Sequence, residues 1–187
     1  MADLPRDLPG LAARIRGCTL CGLHRSRTHA VPGEGPPHAP FLLIGEAPGR
    51  SEDLAGRPFR GAAGKLLDEA LRRAGIRRDR TFITNAVKCH PPGNRRPKAG
   101  ELAACRPYLL AQIVAVRPQV IVALGQTAVR DLLGADVELA VARRHFQEFI
   151  GRPVLCTYHP AAVLYNRRLM RSLTADLRKA KRRAEAG

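Results

Sequence analysis

Acidic residues are few in this chain: 16 Asp and Glu stand against 32 Lys and Arg, a formal net charge of +16 over 187 residues. Aromatic residues are fewer still, five Phe and three Tyr with no Trp. No apolar run approaches the ~20 residues that span a bilayer. No segment repeats, and the opening MADLPRDLPG lacks the apolar centre of a signal peptide. A membrane-spanning protein and a secreted one are therefore not expected, and the cytoplasm is the expected location. The shortage of acid has a positive corollary. Clustered Arg and Lys displace counterions from a phosphate backbone, so the expected partner is a polyanion, with an anionic membrane surface the weaker alternative. An apolar content of 45% suits one domain over residues 1–187, with tails near 1–10 and 184–187 free to fray.

What is present is an alternation of strand and helix. Phe41 to Ile44 is a short apolar run that reads as a buried strand, and Gly45-Glu46-Ala47-Pro48-Gly49 after it reads as a tight loop. Further strands are expected at 81–87, 119–124 and 152–157, and helices at 5–16, from Gly61 to Gly75, along 102–116 and over 165–183. With no tight hairpin signal, the expected fold is α/β, a three-layer α/β/α sandwich around a central, mainly parallel four-stranded sheet. Residues 135–150 show no clear pattern, and Pro107 suggests a helix end arriving at a ligand site.

In such sheets ligands bind beyond the carboxyl ends of the strands, and three of those ends carry Glu46, Asn85 and His159 to one edge. An amide offers one acceptor and two donors, the equipment needed to read a nucleobase edge. Plainer accounts stand beside these. Glu46 could be a helix cap or a solvated turn, Phe59 an ordinary core anchor, and the basic helix over 165–183, with eight Arg or Lys against one Asp, a solvated face.

Five cysteines in an intracellular chain suggest metal ligands or buried thiols rather than disulfides. Cys18 and Cys21 form a C-x-x-C turn, and Cys89 and Cys105 come from separate elements. Four thiolates suit a [4Fe-4S] cluster and also a structural zinc. A second C-x-x-C knuckle would favour zinc, and its absence favours iron-sulfur; Cys105 also falls on the apolar stripe of its helix. No oxidoreductase motif accompanies the cysteines, so a structural group is expected. Cys156, beside Val154 and Leu155, reads as a buried thiol.

Taken together, VPGEG at 31–35, GEAPG at 45–49, EDLAGRPF at 52–59, TNAVKCHPPGN at 84–94, CRPYL at 105–109 and HPA at 159–161 resemble the family-four uracil-DNA glycosylases. The likeness runs from about Cys18 to Asn166, and the order and spacing of these motifs with all four cysteines make it specific. The resemblance implies a monofunctional enzyme that flips uracil out of single- or double-stranded DNA, hydrolyses its N-glycosidic bond and leaves an abasic site for base excision repair. It also implies a monomer whose non-redox [4Fe-4S] cluster is bound by Cys18, Cys21, Cys89 and Cys105.

Carried over by motif, Phe59 stacks on the flipped base, Asn85 pairs with its O4 and N3–H edge, and Glu52 walls off the C5 side against thymine's methyl. Gly45 and Ala47 belong to the base-binding loop. His159 donates to uracil O2 as charge develops there, and Glu46 positions the water and offsets the cationic sugar. In the best-known uracil glycosylases an aspartate handles the water, and its counterpart here is Ala47. Leu164 or Tyr165 fills the vacated stack, with Arg167 and Arg168 on phosphates.

Departures from the family are Arg60, where an apolar residue is expected, and the stretch 137–150. A relative in the superfamily forms a covalent adduct through a histidine in an inserted basic loop; that insertion is missing between Cys89 and Cys105, which leaves His90 and His145 as alternative nucleophiles. The competing function is a catalytically silent or adduct-forming DNA-binding relative, and a zinc-bound module is a third.

Overall fold

The computed structural model describes residues 4–186. Its five strands are β1 (Phe41–Gly45), β2 (Thr81–Asn85), β3 (Val120–Leu124), β4 (Gln147–Phe149) and β5 (Arg152–Thr157), in the spatial order β2-β1-β3-β5-β4. All pairings are parallel except β4 with β5. Every residue of β1, β2 and β3 is buried. That is why these strands read as continuous apolar runs, since a parallel sheet is covered on both faces. The helices are α1 (Leu8–Arg16), α2 (Arg50–Ala55), α3 (Ala62–Ala74), α4 (Ala99–Val116), α5 (Gln126–Leu133), α6 (Leu139–Ala142), α7 (Pro160–Tyr165) and α8 (Leu169–Glu185).

Strand side chains alternate between two cores. Leu43, Val122 and Leu155 meet Leu67 and Leu71 of α3 and Leu173 and Leu177 of α8. Leu42, Ile44 and Ile121 meet Leu109 and Ile113 of α4 and Val129 of α5 on the other face. The polar helix α8 is held by a single stripe, Met170, Leu173, Leu177, Ala180 and Ala184, at alternating spacings of three and four. A third cluster, including Ile15, Leu23, Val87 and Tyr108, packs around Cys89 and Cys105. No helix of the described residues is long and apolar enough to cross a membrane.

Several expectations are corrected in detail. The sheet has five strands rather than four, because β4 joins β5 through a two-residue turn, Ile150-Gly151, with φ of 51° and 65°. Two positive φ values make a hairpin turn. Isoleucine rarely adopts one, which hides the signal. Pro107 lies inside α4 and ends nothing. The basic helix expected over 165–183 is α8, which starts only at Leu169; Tyr165 ends the separate helix α7. The first helix starts at Leu8, where the Asp7 side chain accepts from the Gly10 amide at 2.7 Å. The frayed-tail expectations for residues 1–3 and 187 lie outside the described residues, whereas residues 8–10 and 184–185 are helical.

Candidate functional site

Strand register decides what can meet. Gly45 is level with Asn85, Ile44 with Ala123 and Leu124 with Thr157, so the loops that follow share one edge of the sheet. At that edge lies a cavity of about 210 Å³, lined by Glu46, Ala47, Glu52, Phe59, Asn85 and His159 among others. The sequence assigned all six to the site. Gly45 lies beneath the cavity, where a Cβ would come within 2.4 Å of Asn85 Oδ1 and 2.8 Å of the Phe59 ring. Only glycine allows that approach.

Phe59 is buried and has φ of 51°, and its ring centroid is 5.6 Å from that of His159. Its backbone is pressed against α3 at Gly64, where a Cβ would sit 2.0 Å from the Phe59 carbonyl oxygen. The Glu52 carboxylate holds the same loop, accepting from the amides of Arg60 and Gly61 at 2.7 Å each and of Gly49 at 3.1 Å. Glu52 thus lines the cavity and also ties together the two loops that bound it. Arg60, the departure from the family pattern, points its side chain outward and gives this bond through its backbone.

Asn85 is 1% exposed, and its Oδ1 has no hydrogen-bond partner. A buried acceptor left open asks for an N–H donor. His159 Nδ1 accepts from the Ala161 amide at 3.1 Å, which places the ring proton on Nε2. Burial pushes the His159 pKa down to about 4, against the opposing pull of the Glu52 charge, so the ring is a neutral donor at pH 7. Thr127, two residues beyond Gly125 at the end of β3, donates its hydroxyl to Glu46 Oε2. That bond crosses the sheet between β1 and β3, where the strand order reverses.

The unpatterned stretch 135–150 supports the His159 strand end. Arg143 Nε donates to Asp176 Oδ2 at 2.6 Å, an oxygen that also accepts from the Thr157 hydroxyl at 2.7 Å. The Arg143 guanidinium lies 4.7 Å from the Tyr158 ring centroid.

Leu164 and Tyr165 are exposed at the end of α7, the helix that starts one residue after His159, and Arg167 and Arg168 are exposed just beyond. None of these four lines the cavity, and neither do His90 and His145. His90 Nε2 is 2.9 Å from Asn94 Oδ1.

Cys18, Cys21, Cys89 and Cys105 line a second, narrow cavity together with Arg27, Lys88 and Tyr108. The four cysteines are free thiols. Among the described residues no group of three or more His, Cys, Asp or Glu is gathered tightly enough for a single metal ion. The four cysteines instead share the lining of one narrow chamber. N–H donors are already aimed at them: Arg27 Nη1 at 3.1 Å from Cys89 Sγ and 2.9 Å from the Cys18 carbonyl, and the Leu20 amide at 3.5 Å from Cys18 Sγ. Burial raises the Cys89 pKa, partly offset by Arg27, and pushes that of Cys105 up to about 12, partly offset by Lys88. A soft all-thiol set drawn from three segments, with N–H···S donors in place, fits an iron-sulfur cluster. Cys156 stands apart in β5, its pKa pushed up to about 12 by burial.

Sequence reasoning missed Thr127, Arg27, Lys88 and Gln112. The available signal for Lys88 was a charged residue inside the otherwise apolar run between Asn85 and Cys89.

The model of the uracil DNA glycosylase superfamily matches residues 32–182. The chain is similar to the Type-4 uracil-DNA glycosylase of Pyrobaculum aerophilum, at 48% identity over 179 residues and 91% of each chain. It is similar also to the Type-4 enzymes of Thermotoga maritima, 45% identical over 91% of each chain, and Archaeoglobus fulgidus, 43% identical over 92% of this chain and 91% of that one.

Proposed function

The chain belongs to the uracil-DNA glycosylase superfamily, and we infer that it excises uracil from DNA as a monofunctional hydrolase of the N-glycosidic bond. The observation that carries the residue assignment is the open acceptor Asn85 Oδ1, buried in a cavity that also holds a neutral donor, His159. Uracil N3–H satisfies that acceptor while the Asn85 amide nitrogen donates to O4. Cytosine offers no proton at N3 and an amino group where uracil has a carbonyl, so it leaves buried polar atoms unpaired. Such mismatches discriminate by ~10⁴–10⁵ in sites built to bond a specific group.

The base must leave the stack to reach this cavity. Phe59 stacks on the ring, and Glu52 fixes the Phe59 loop while closing the side where thymine would carry its methyl. As the N1–C1′ bond breaks, its electron pair leaves with uracil, and the negative charge is met at O2 by the His159 Nε2–H, a bond that strengthens in the transition state. The Glu46 carboxylate, aimed by Thr127, faces the cationic sugar and takes a proton from the water whose oxygen bonds to C1′. Ala47 has no group to share that work. No lysine lines the cavity, so no Schiff-base step is assigned. Leu164 or Tyr165 occupies the gap in the duplex and Arg167 and Arg168 meet phosphates, in keeping with their exposure beyond the cavity. Cys18, Cys21, Cys89 and Cys105 would hold the [4Fe-4S] cluster, which supplies a cross-link between distant segments.

The test is release of uracil from a uracil-containing oligonucleotide, followed as alkali-labile strand breaks. Asn85→Ala and His159→Ala are each expected to lower kcat/KM by ~10²–10³, as when a donor to developing charge is removed, with binding to uracil-free DNA unchanged. Full activity in both variants would overturn the assignment of the cavity. Intact DNA from iron-loaded wild-type protein would favour the silent DNA-binding alternative.

A further inference from the structure

The loop between Cys89 and α4 holds three prolines, Pro91, Pro92 and Pro97, whose rings fix φ and stiffen it. One charged side chain of this loop reaches the base cavity. Among the described residues that line the cavity, Arg95 is the one permanent cation. It shares the lining with two carboxylates, Glu46 and Glu52, and bonds to neither. Glu52 is spent on the amides of Gly49, Arg60 and Gly61, and Glu46 accepts from Thr127.

The Arg95 guanidinium is held from behind. Glu101, in the first turn of α4, accepts from Nη1 through Oε2 at 2.9 Å and from Nη2 through Oε1 at 2.7 Å, and Nη1 gives its second proton to the Arg96 carbonyl at 3.0 Å. The Lys98 amide fixes Glu101 in turn, at 2.8 Å from Oε2. A guanidinium has five N–H donors in a rigid plane. Three are spent here, and the two left, on Nε and Nη2, lie along one edge of that plane. Such an edge is a fork that fits two oxygens of one anion, the geometry of phosphate recognition. The Arg95 side chain is 36% exposed and that of Glu101 12%, so the pair turns the arginine rather than the acid towards solvent.

A nucleotide whose base is bonded to Asn85 leaves its sugar and the two phosphates beside it at the cavity mouth. Each phosphate is an anion brought towards a lining with two carboxylates, and a cation at the mouth offsets that repulsion. We propose that Arg95 contacts the substrate directly: its Nε–Nη2 edge, aimed by Glu101, takes two oxygens of a phosphate next to the flipped uridine. The inference deepens the uracil-excision reading and rests on it. Arg167 and Arg168 stand outside the cavity and add charge along the duplex, whereas Arg95 meets the backbone of the nucleotide that has entered.

The test measures affinity for oligonucleotides carrying slowly cleaved 2′-fluoro-2′-deoxyuridine, in wild-type protein and in Arg95→Met, with the phosphate 5′ or 3′ of that nucleotide replaced in turn by an uncharged methylphosphonate. Arg95→Met is expected to weaken binding to the unmodified strand by ~10–100-fold, the scale of charge-assisted hydrogen bonding, and to reduce the salt slope of log K by ~1. At one of the two positions the methylphosphonate is expected to cost wild type a similar factor and Arg95→Met little more, because the contact it removes is already gone. Inhibition by free uracil, which has no phosphate, is expected to be equal in the two proteins. Unchanged affinity in Arg95→Met, losses that multiply at both positions, or a weakened hold on free uracil overturns the proposal. Where Arg95→Met does not fold, Arg95→Lys decides, since it keeps the charge and cannot fork. A methylphosphonate penalty below that of wild type then supports the contact, and an equal penalty overturns it. Wild-type protein that binds the uridine strand no better than its cytidine counterpart overturns the excision reading itself, and this contact with it.

Discussion

The cysteine chamber and the base cavity are built from two ends of one short segment. Asn85 faces the cavity, and three and four residues on, Lys88 and Cys89 face the chamber. The polar chemistry of the two is opposite. In the chamber, donors already meet sulfur, as Arg27 does at Cys89, and the lysine has all its acceptors. In the cavity, the acceptor of Asn85 is left open and the Nε2 proton of His159 is free to be given away. A region that satisfies itself behaves as a joint, and a region that leaves buried groups unpaired is completed by a ligand.

The largest effect that would separate the two comes from breaking the joint. Cys89→Ser is expected to lose most of its iron and sulfide. With it goes the tie between the segments around Cys18 and Cys89. Closing a loop of that length stabilises by ~4 kcal/mol on the chain-entropy scale, so the thermal midpoint is expected to fall by ~10 °C. Asn85→Ala, four residues earlier, is expected to keep wild-type iron content and midpoint within a few degrees while excision collapses. Calorimetry and iron analysis on both variants check the contrast. Equal iron loss in the two would erase the distinction between joint and cavity.

A smaller effect tests whether the cavity is aimed from outside itself. Thr127 touches Glu46 rather than substrate, so Thr127→Val keeps the shape and removes the donated bond. A ~10-fold fall in kcat is expected with KM unchanged, the pattern of an interaction used only in the transition state. Thr127→Ser, which restores the hydroxyl, is expected to recover most of it. A change confined to KM would place Thr127 in binding and leave Glu46 unsupported.

The two regions also differ in how far they could be read from the sequence. The four cysteines and the strand ends carrying Glu46, Asn85 and His159 were legible, because short runs rich in apolar and β-branched residues mark where a parallel strand lies and stops. The partners that make these residues work were not. Lys88 is a charged residue, which pattern alone places in solvent; its burial exists only once α4 brings Gln112 and Cys105 against it. Thr127 and Glu46 are 81 residues apart and meet only because β1 and β3 are neighbours. The stretch 135–150 hid its strand behind an isoleucine at positive φ, and its role behind the single side chain of Arg143, whose partner Asp176 lies on α8. Local pattern names the elements, and long-range polar contacts decide what they do.

The smallest effect is one of pH, and it sharpens the comparison because the two regions hold their protons for different reasons. Chamber thiols would give up protons to the proposed cluster. His159 stays neutral because burial lowers its pKa to about 4, well below the ~6.5 of an exposed imidazole. As acid is added, the unfolded chain therefore takes up this proton first. The stability due to the neutral ring is fully present above pH ~6.5 and is lost as pH falls from there towards 4. Activity should follow the folded value: kcat is expected to stay level from pH 8 down to about 5 as far as this group is concerned, and to fall as pH approaches 4. His159→Gln, which cannot titrate, should show a smaller loss of thermal midpoint between pH 7 and pH 5 than wild type. An inflection in kcat near pH 6.5 that His159→Gln abolishes would mean an exposed, protonatable ring, and would take from the cavity the neutral donor on which its contrast with the chamber depends.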